Sequence, residues 1–221
     1  GAFIQQYKST VADQFVHFGD KADKPADYIA NKEGWDGVLA NGDPQYAMSA
    51  QAVDGAIKLT SANANLNTRK EDNGIILYKE LEGDFLVQTK VVALDGQAEH
   101  RTPAYNEGGL IVLDDSGNRG QEIIHIGVFP NYNCGNMLTH VRGYSRPQYP
   151  RGNGWNYDPY LQIERTGDIF TIRTSQDGKS WTDMPGSPIH APQLNGKKLK
   201  VGLYQTTYTD NKSWVSFDEF D

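Results

Sequence analysis

The chain has 221 residues, 38% of them hydrophobic and 11% aromatic, with 23 glycines, a single cysteine and a net charge of −7. That length and composition suit one all-β domain of short strands and tight turns rather than a helical bundle. The acidic balance, with no Lys/Arg cluster, argues against nucleic acid as a partner, Cys134 alone excludes an internal disulfide, and no apolar run approaches the roughly 18 residues of a membrane span.

A domain of this size buries about 70–75% of the surface of its unfolded chain, so no disulfide, metal or cofactor is required for stability. Residues 1–221 are read as a single sandwich domain on which an irregular segment, 1–45, is packed. Within that segment Tyr7 to Phe18 has the pattern of a short amphipathic helix, and GDKADKPADY follows as a charged loop interrupted by Pro25.

From Tyr46 onward apolar and polar residues alternate between turn residues, the period of half-buried strands. In chain order the expected strands are 56–61, 74–80, 84–94, 108–114, 122–129, 136–143, 160–165, 168–175, 198–207 and 213–220. EGD, DDSGN, TGD and QDG separate them, and each is a turn of the kind that joins antiparallel neighbours. Two connections, Asp95 to Glu107 and Tyr144 to Pro159, far exceed the common loop length of about 4–6 residues.

The stretch TSQDGKSW, Thr174 to Trp181, matches the Asp box that sialidase propellers repeat once per blade. Here it occurs once in a chain without internal repeats, so it reads as a turn device, with Asp177 accepting N–H groups of its own turn and Gly178 supplying a positive φ.

The order VDGAIKLTS, LYKELEGDFLVQTKVVAL, NEGGLIVLDDSGN, LQIERTGDIFTIRTSQDGKSW, KLKVGLYQTT and WVSFDEFD resembles the concanavalin A-like lectin/glucanase superfamily. The likeness is greatest to the laminin-G-like sandwiches found with bacterial glycoside hydrolases, and covers about residues 35–221. It implies an antiparallel two-sheet β-sandwich of jelly-roll type, with Phe85, Val87, Val215 and Phe217 in its core. It also implies a carbohydrate partner, a secreted or periplasmic location after removal of a leader, and room for a structural calcium ion. Asp114, Asp115, Asn118, Asp218 and Asp221 are the oxygen-rich positions for such an ion. A hard cation needs about 6–8 converging oxygens, and the sequence assigns none.

The catalytic members of the superfamily carry Glu-x-Asp-x-x-Glu on one strand, and no such run exists here. Asp218 and Glu219 are adjacent on an alternating strand and point to opposite faces, so they do not form a catalytic pair.

Alternation divides the other strands. Ile124, Ile126 and Val128 oppose Ile123 and His125; Met137 and Val141 oppose His140 and Arg142; Leu161 and Ile163 oppose Tyr160, Gln162 and Glu164; Val87 opposes Gln88 and Lys90. If the less apolar sides belong to one sheet, Gln88, Lys90, His125, His140, Arg142, Gln162 and Glu164 form a polar concave surface. The bland alternative is a solvated sheet face. A metal trio of His125, His140 and Glu164 has no motif spacing behind it.

Between Gly143 and Leu161, Tyr144, Tyr149, Trp155, Tyr157 and Tyr160 alternate with Arg146, Arg151, Asn153 and Asn156. Sugar rings stack on aromatic planes and bond amides and guanidinium groups, so this loop suits a glycan; the alternative is that it packs its own aromatics onto the sandwich. Arg101, Tyr105 and Glu107 of the other long connection are expected to wall the same site.

Three functions stay open. The first is a module that binds a poly- or oligosaccharide. The second is a glycoside hydrolase or lyase with carboxylates from separate strands, Glu164, Glu122 or Glu107, assisted by His125 or His140. The third is a protein-binding adhesion module.

Overall fold

The computed structural model describes residues 15–17, 35–41, 49–53, 55–62, 74–103, 105–114, 122–130, 134–207 and 212–218. In chain order the strands are β1 (Phe15–His17), β2 (Gly37–Asn41), β3 (Ser49–Val53), β4 (Ala56–Ser61), β5 (Gly74–Leu81), β6 (Phe85–Leu94), β7 (Glu107–Asp114) and β8 (Glu122–Val128). They continue with β9 (Asn136–Arg142), β10 (Gln148–Arg151), β11 (Tyr160–Thr166), β12 (Ile169–Ser175), β13 (Thr182–Asp183), β14 (Ile189–His190), β15 (Leu199–Thr206) and β16 (Ser213–Asp218).

The strands form two sheets. The first runs β13-β12-β11-β6-β16-β4-β3, with β1 added to β6 and β14 to β12; the second runs β10-β9-β8-β7-β15-β5-β2. Every pairing among the described residues is antiparallel except β1 with β6. This is the expected jelly-roll β-sandwich, and β7 lies at the centre of its sheet.

The two sheets meet through alternate residues. Phe85, Val87, Leu161, Ile163, Phe170, Ile172, Val215 and Phe217 of the first sheet pack against Leu110, Val112, Ile124, Ile126, Val128, Leu138, Val201 and Leu203 of the second. A fully buried side chain of this kind contributes about 1.5–3 kcal/mol over leaving it in water. One end of the sandwich is closed by Arg165, which is buried and donates to the carbonyls of Gly167, Lys197 and Leu194 while its guanidinium lies over Phe85 and Phe170. At the opposite end of β15, Ser61 donates to Gln205 Oε1 at 2.5 Å, and Gln205 donates to Asn106 Oδ1 at 2.9 Å. Asn106 in turn donates to Thr102 Oγ and the Trp214 carbonyl, which anchors the connection before β7.

All ten expected strands are present with bounds shifted by one or two residues at most. Three readings are corrected. Phe15 to His17, expected in a helix, is a strand parallel to β6, and β2 is a second strand inside the segment read as irregular; the rest of that segment, residues 1–14, 18–34 and 42–45, lies outside the described residues. Strands of three to five residues gain their stability from pairing with a neighbour and are too short to show a period. EGD is no hairpin turn, because it carries the chain from β5 in the second sheet to β6 in the first. The turns TGD and QDG do join paired neighbours, as does the 115–121 connection between β7 and β8.

Candidate functional site

The face of the first sheet turned away from the core carries an ordered polar array. Register places Gln88 of β6 opposite Gln162 of β11, Gln162 opposite Arg173 of β12, and Arg173 opposite Asp183 of β13. The four side chains therefore form one row across four strands. Gln162 donates to Gln88 Oε1 at 3.3 Å and accepts from Arg173 Nη1 at 3.0 Å. The same guanidinium holds Glu164 Oε1 and Asp183 Oδ1, each at 3.2 Å.

Gln88 and Gln162 are fully buried and form a floor, while Arg173 and Asp183 open toward solvent. Gln88 Nε2 has no hydrogen-bond partner among the described residues. Beside this row Lys90 and Tyr160 stand opposite each other, with Lys90 Nζ 5.2 Å from the centre of the Tyr160 ring. Tyr160 rests on the Asp-box turn. A Cβ on Gly178, whose φ is +74°, would stand 3.0 Å from that ring, so glycine is needed there for both conformation and space.

The turn itself is built as the sequence implies. Asp177 Oδ1 accepts from the backbone of Lys179 and Ser180, both at 2.8 Å, and these bonds hold its carboxyl below the usual carboxylate range. Gln176 then donates to the Tyr157 carbonyl and to Asp158 Oδ1, so the turn also supports the tyrosine-rich connection.

Five of the expected site residues, Gln88, Lys90, Tyr160, Gln162 and Glu164, are thus together on one face. Arg173 and Asp183 were missed. Arg173 was legible as an outward position of DIFTIRTS, because Phe170 and Ile172 take the core side. Asp183 lies in a strand of two residues, which has no readable period.

The remaining residues of the expected concave surface lie elsewhere. His125 and His140 belong to the second sheet, and on opposite faces of it: His125 stands opposite Thr139, whereas His140 stands opposite the core residue Ile124. The trio of His125, His140 and Glu164 is therefore divided between two sheets and is no metal site. No group of three or more metal-ligating side chains occurs among the described residues. Of the positions considered for calcium, Asp114 is paired with Lys197 at 2.9 Å, and Asp115, Asn118 and Asp221 lie outside the described residues.

The three carboxylates considered for hydrolysis do not converge. Glu164 binds Arg173 on the first sheet. Glu122, fully buried on the core side of β8, contacts His140 Nε2 and Gln193 Nε2, each at 2.5 Å. Glu107 accepts from the Tyr204 hydroxyl at 3.2 Å on the outer face of the second sheet.

The aromatic connection packs itself down. Tyr149, Trp155 and Tyr157 lie half-buried against the core, His100 stacks on Trp155 with ring centres 5.1 Å apart, and the Tyr157 hydroxyl donates to Gln97. Burial pushes the Tyr157 hydroxyl pKa up, opposed by that bond. Arg151 braces the same loop through Asp158, Thr174 and the Asp183 carbonyl. Only Tyr144 among these aromatics is well exposed, at 68%, on the turn between β9 and β10 with exposed Arg142 and Arg146. The two long connections meet through Gln97 and Tyr157. Arg101 is exposed, while Tyr105 turns to Phe129, Cys134 and Met137. Burial and the nearby Glu107 carboxylate raise the Cys134 thiol pKa, which keeps it protonated and poorly nucleophilic.

Residues 62–221 match the family described as Protein of unknown function (DUF1349). The chain belongs to this family. No curated protein matches it in sequence. Among solved structures, a functionally unknown protein from Saccharomyces cerevisiae is similar over 86% of this chain and 97% of its own, with 17% identity and a TM-score of 0.61. A xylan beta-1,4-xylosidase from Bacillus halodurans C-125 is similar over 80% of this chain but 35% of its own, with 15% identity and a TM-score of 0.52. SCLam, a non-specific endo-beta-1,3(4)-glucanase from family GH16, is similar over 91% of this chain and 87% of its own, with 11% identity and a TM-score of 0.50. At these identities the likeness establishes the fold: this DUF1349 chain is a concanavalin A-like β-sandwich, as its sequence implied.

Proposed function

We propose that this protein is a carbohydrate-binding module that recognises a poly- or oligosaccharide on the outer face of its first sheet, along the row Gln88, Gln162, Arg173 and Asp183. The observation that carries this reading is the buried Gln88 Nε2 without a hydrogen-bond partner among the described residues, at the place in the row between Gln162 of β11 and His17 of β1. A buried donor left unpaired costs about 1–3 kcal/mol, and a ligand hydroxyl supplies the acceptor it lacks. The row offers amide, guanidinium and carboxylate groups in line, and Tyr160 offers a ring at its side, the combination that hydroxyl-rich, C–H-faced sugars bind.

The domain then spans 1–221, needs no cofactor, and acts in a secreted or periplasmic setting where polysaccharide is met. Calorimetry against a panel of neutral and acidic polysaccharides tests the reading. Binding that is lost in Arg173→Ala supports it, and no binding by the wild type at millimolar ligand refutes it.

Hydrolysis at the same face is favoured by one observation, that Glu164 and Asp183 both bind Arg173 and so flank a single point. Product release from the same panel, abolished by Glu164→Gln, would support that second reading.

A further inference from the structure

A second polar cluster lies on the outer face of the other sheet. Tyr204, Glu107, His125 and Thr139 come from the four adjacent strands β15, β7, β8 and β9, and all four are fully buried. The Tyr204 ring reaches across β7 to β8, where a Cβ on Gly127 would stand 2.3 Å from its hydroxyl oxygen, so only glycine leaves the path open. There the Tyr204 oxygen lies 2.9 Å from His125 Nδ1 and 3.2 Å from Glu107 Oε2. The rings of His125 and Tyr204 meet edge to face, 4.7 Å between centres.

The protons of this chain can be assigned by counting donors. A carboxylate only accepts, and the phenol has one proton, so Tyr204 gives it to Glu107. The contact from His125 to the Tyr204 oxygen then requires a proton on Nδ1. Burial pulls the His125 pKa from 6.5 down to about 3, which leaves a neutral ring with a bare lone pair on Nε2. Thr139 stands directly opposite His125, and neither His125 Nε2 nor Thr139 Oγ has a hydrogen-bond partner among the described residues. Two orphan groups on directly opposed residues of one buried face mark a place built for a third partner.

We propose that His125 Nε2 and Thr139 Oγ form a binding site for a hydroxyl group of a small uncharged alcohol or polyol, with Glu107 and Tyr204 as positioning residues that fix the acceptor tautomer of His125. The ligand O–H donates to Nε2, and the threonine hydroxyl bonds the same oxygen. An anion is disfavoured by the nearby Glu107 carboxylate, and a cation by burial. This site is separate from the row on the first sheet and does not rest on the carbohydrate reading of that face.

The test is long-range 1H–15N NMR of histidine-labelled protein between pH 5 and 8, with glycerol as the probe. The expected spectrum shows His125 protonated at Nδ1 and unprotonated at Nε2, and glycerol moves the Nε2 resonance. Thr139→Val weakens the glycerol response about fivefold, the loss of one hydrogen bond, while Thr139→Ser retains it. Tyr204→Phe removes the acceptor and lets His125 populate the Nε2–H tautomer; should that variant not fold, Glu107→Gln serves the same end. A wild-type ring with its proton on Nε2, or a doubly protonated ring, overturns the assignment. An Nε2 resonance that glycerol leaves unmoved, as when only water occupies the site, overturns the binding site.

Discussion

Gln162 and Arg173 stand directly opposite each other on β11 and β12, and one guanidinium nitrogen donates to that amide while the others hold Glu164 and Asp183. The arginine therefore fixes three side chains of the face at once. Its planar fork makes this arrangement, which a lysine ammonium would not reproduce.

Arg173→Ala is expected to weaken saccharide binding by about 10- to 100-fold, since hydrogen bonds to charged groups contribute about 1.5–3 kcal/mol. Arg173→Lys should recover little of that loss. Titration calorimetry of both variants against the tightest wild-type ligand checks the difference. Thermal unfolding of Arg173→Ala should also come at lower temperature, because Gln162 Oε1 and Glu164, both buried, lose this donor.

The glycine under Tyr160 ties the Asp-box turn to the site. Gly178→Ala forces a side chain into a conformation of φ +74° and against the tyrosine ring at 3.0 Å. A loss of about 1–3 kcal/mol in urea unfolding is expected, together with weaker saccharide binding as Tyr160 is displaced. Full stability with full binding would show that the turn does not support the ring.

Arg165 is enclosed at one end of the sandwich. Arg165→Met keeps much of its length but leaves the carbonyls of Gly167, Leu194 and Lys197 without their donor. Denaturant unfolding should show a loss of about 2–4 kcal/mol with no effect on binding at the opposite face of the sheet beyond that of reduced folding.

Acid stability should report His125. Its pKa is lower in the folded chain, about 3, than the ordinary 6.5, so the unfolded state binds the proton more readily. The contribution is present in full above pH 6.5 and is lost progressively as pH falls toward 3. Asp177, also lowered in the folded chain from an ordinary 3.8, adds to the loss only at more acid pH. Unfolding measured at pH 7.5 and 4.5 should differ in the wild type, and the difference should shrink in His125→Phe.

Much of the sandwich was legible because one side of many strands is apolar. Ile124, Ile126 and Val128 on β8, and Leu161 and Ile163 on β11, point into the core as their alternation implies. The same contrast exposed Gln162, Glu164 and Gln88 as one polar set. It failed on β9, where Met137 and Val141 looked like the core side and are not. The outer face of the second sheet is itself apolar, with Ile76, Ile111, Leu113, Ile123, Val141 and Tyr204 buried there, so both sides of β9 carry hydrophobic residues and the period loses its meaning.

Which strands share a sheet was not legible either. A short Gly/Asp turn joins β11 to β12 within a sheet, and a similar one, EGD, takes β5 to β6 across sheets. The difference is set by hydrogen bonds to strands far away in sequence. This is why His125 and Glu164 appeared to share a surface. The aromatic loop misled for another reason: Tyr149, Trp155 and Tyr157 have the composition of a sugar platform, and the same rings serve equally well to seal the edge of a core.

The most direct test of the carbohydrate reading is an NMR titration of the folded protein with oligosaccharides, following the side-chain amides of Gln88 and Gln162 in wild type and in Arg173→Ala. The account predicts that a saccharide shifts both amide pairs in the wild type, Gln88 most, and that the shifts vanish in the variant at equal ligand. Saccharide binding that leaves both amides unmoved, or no binding to any saccharide at millimolar concentration, would contradict it.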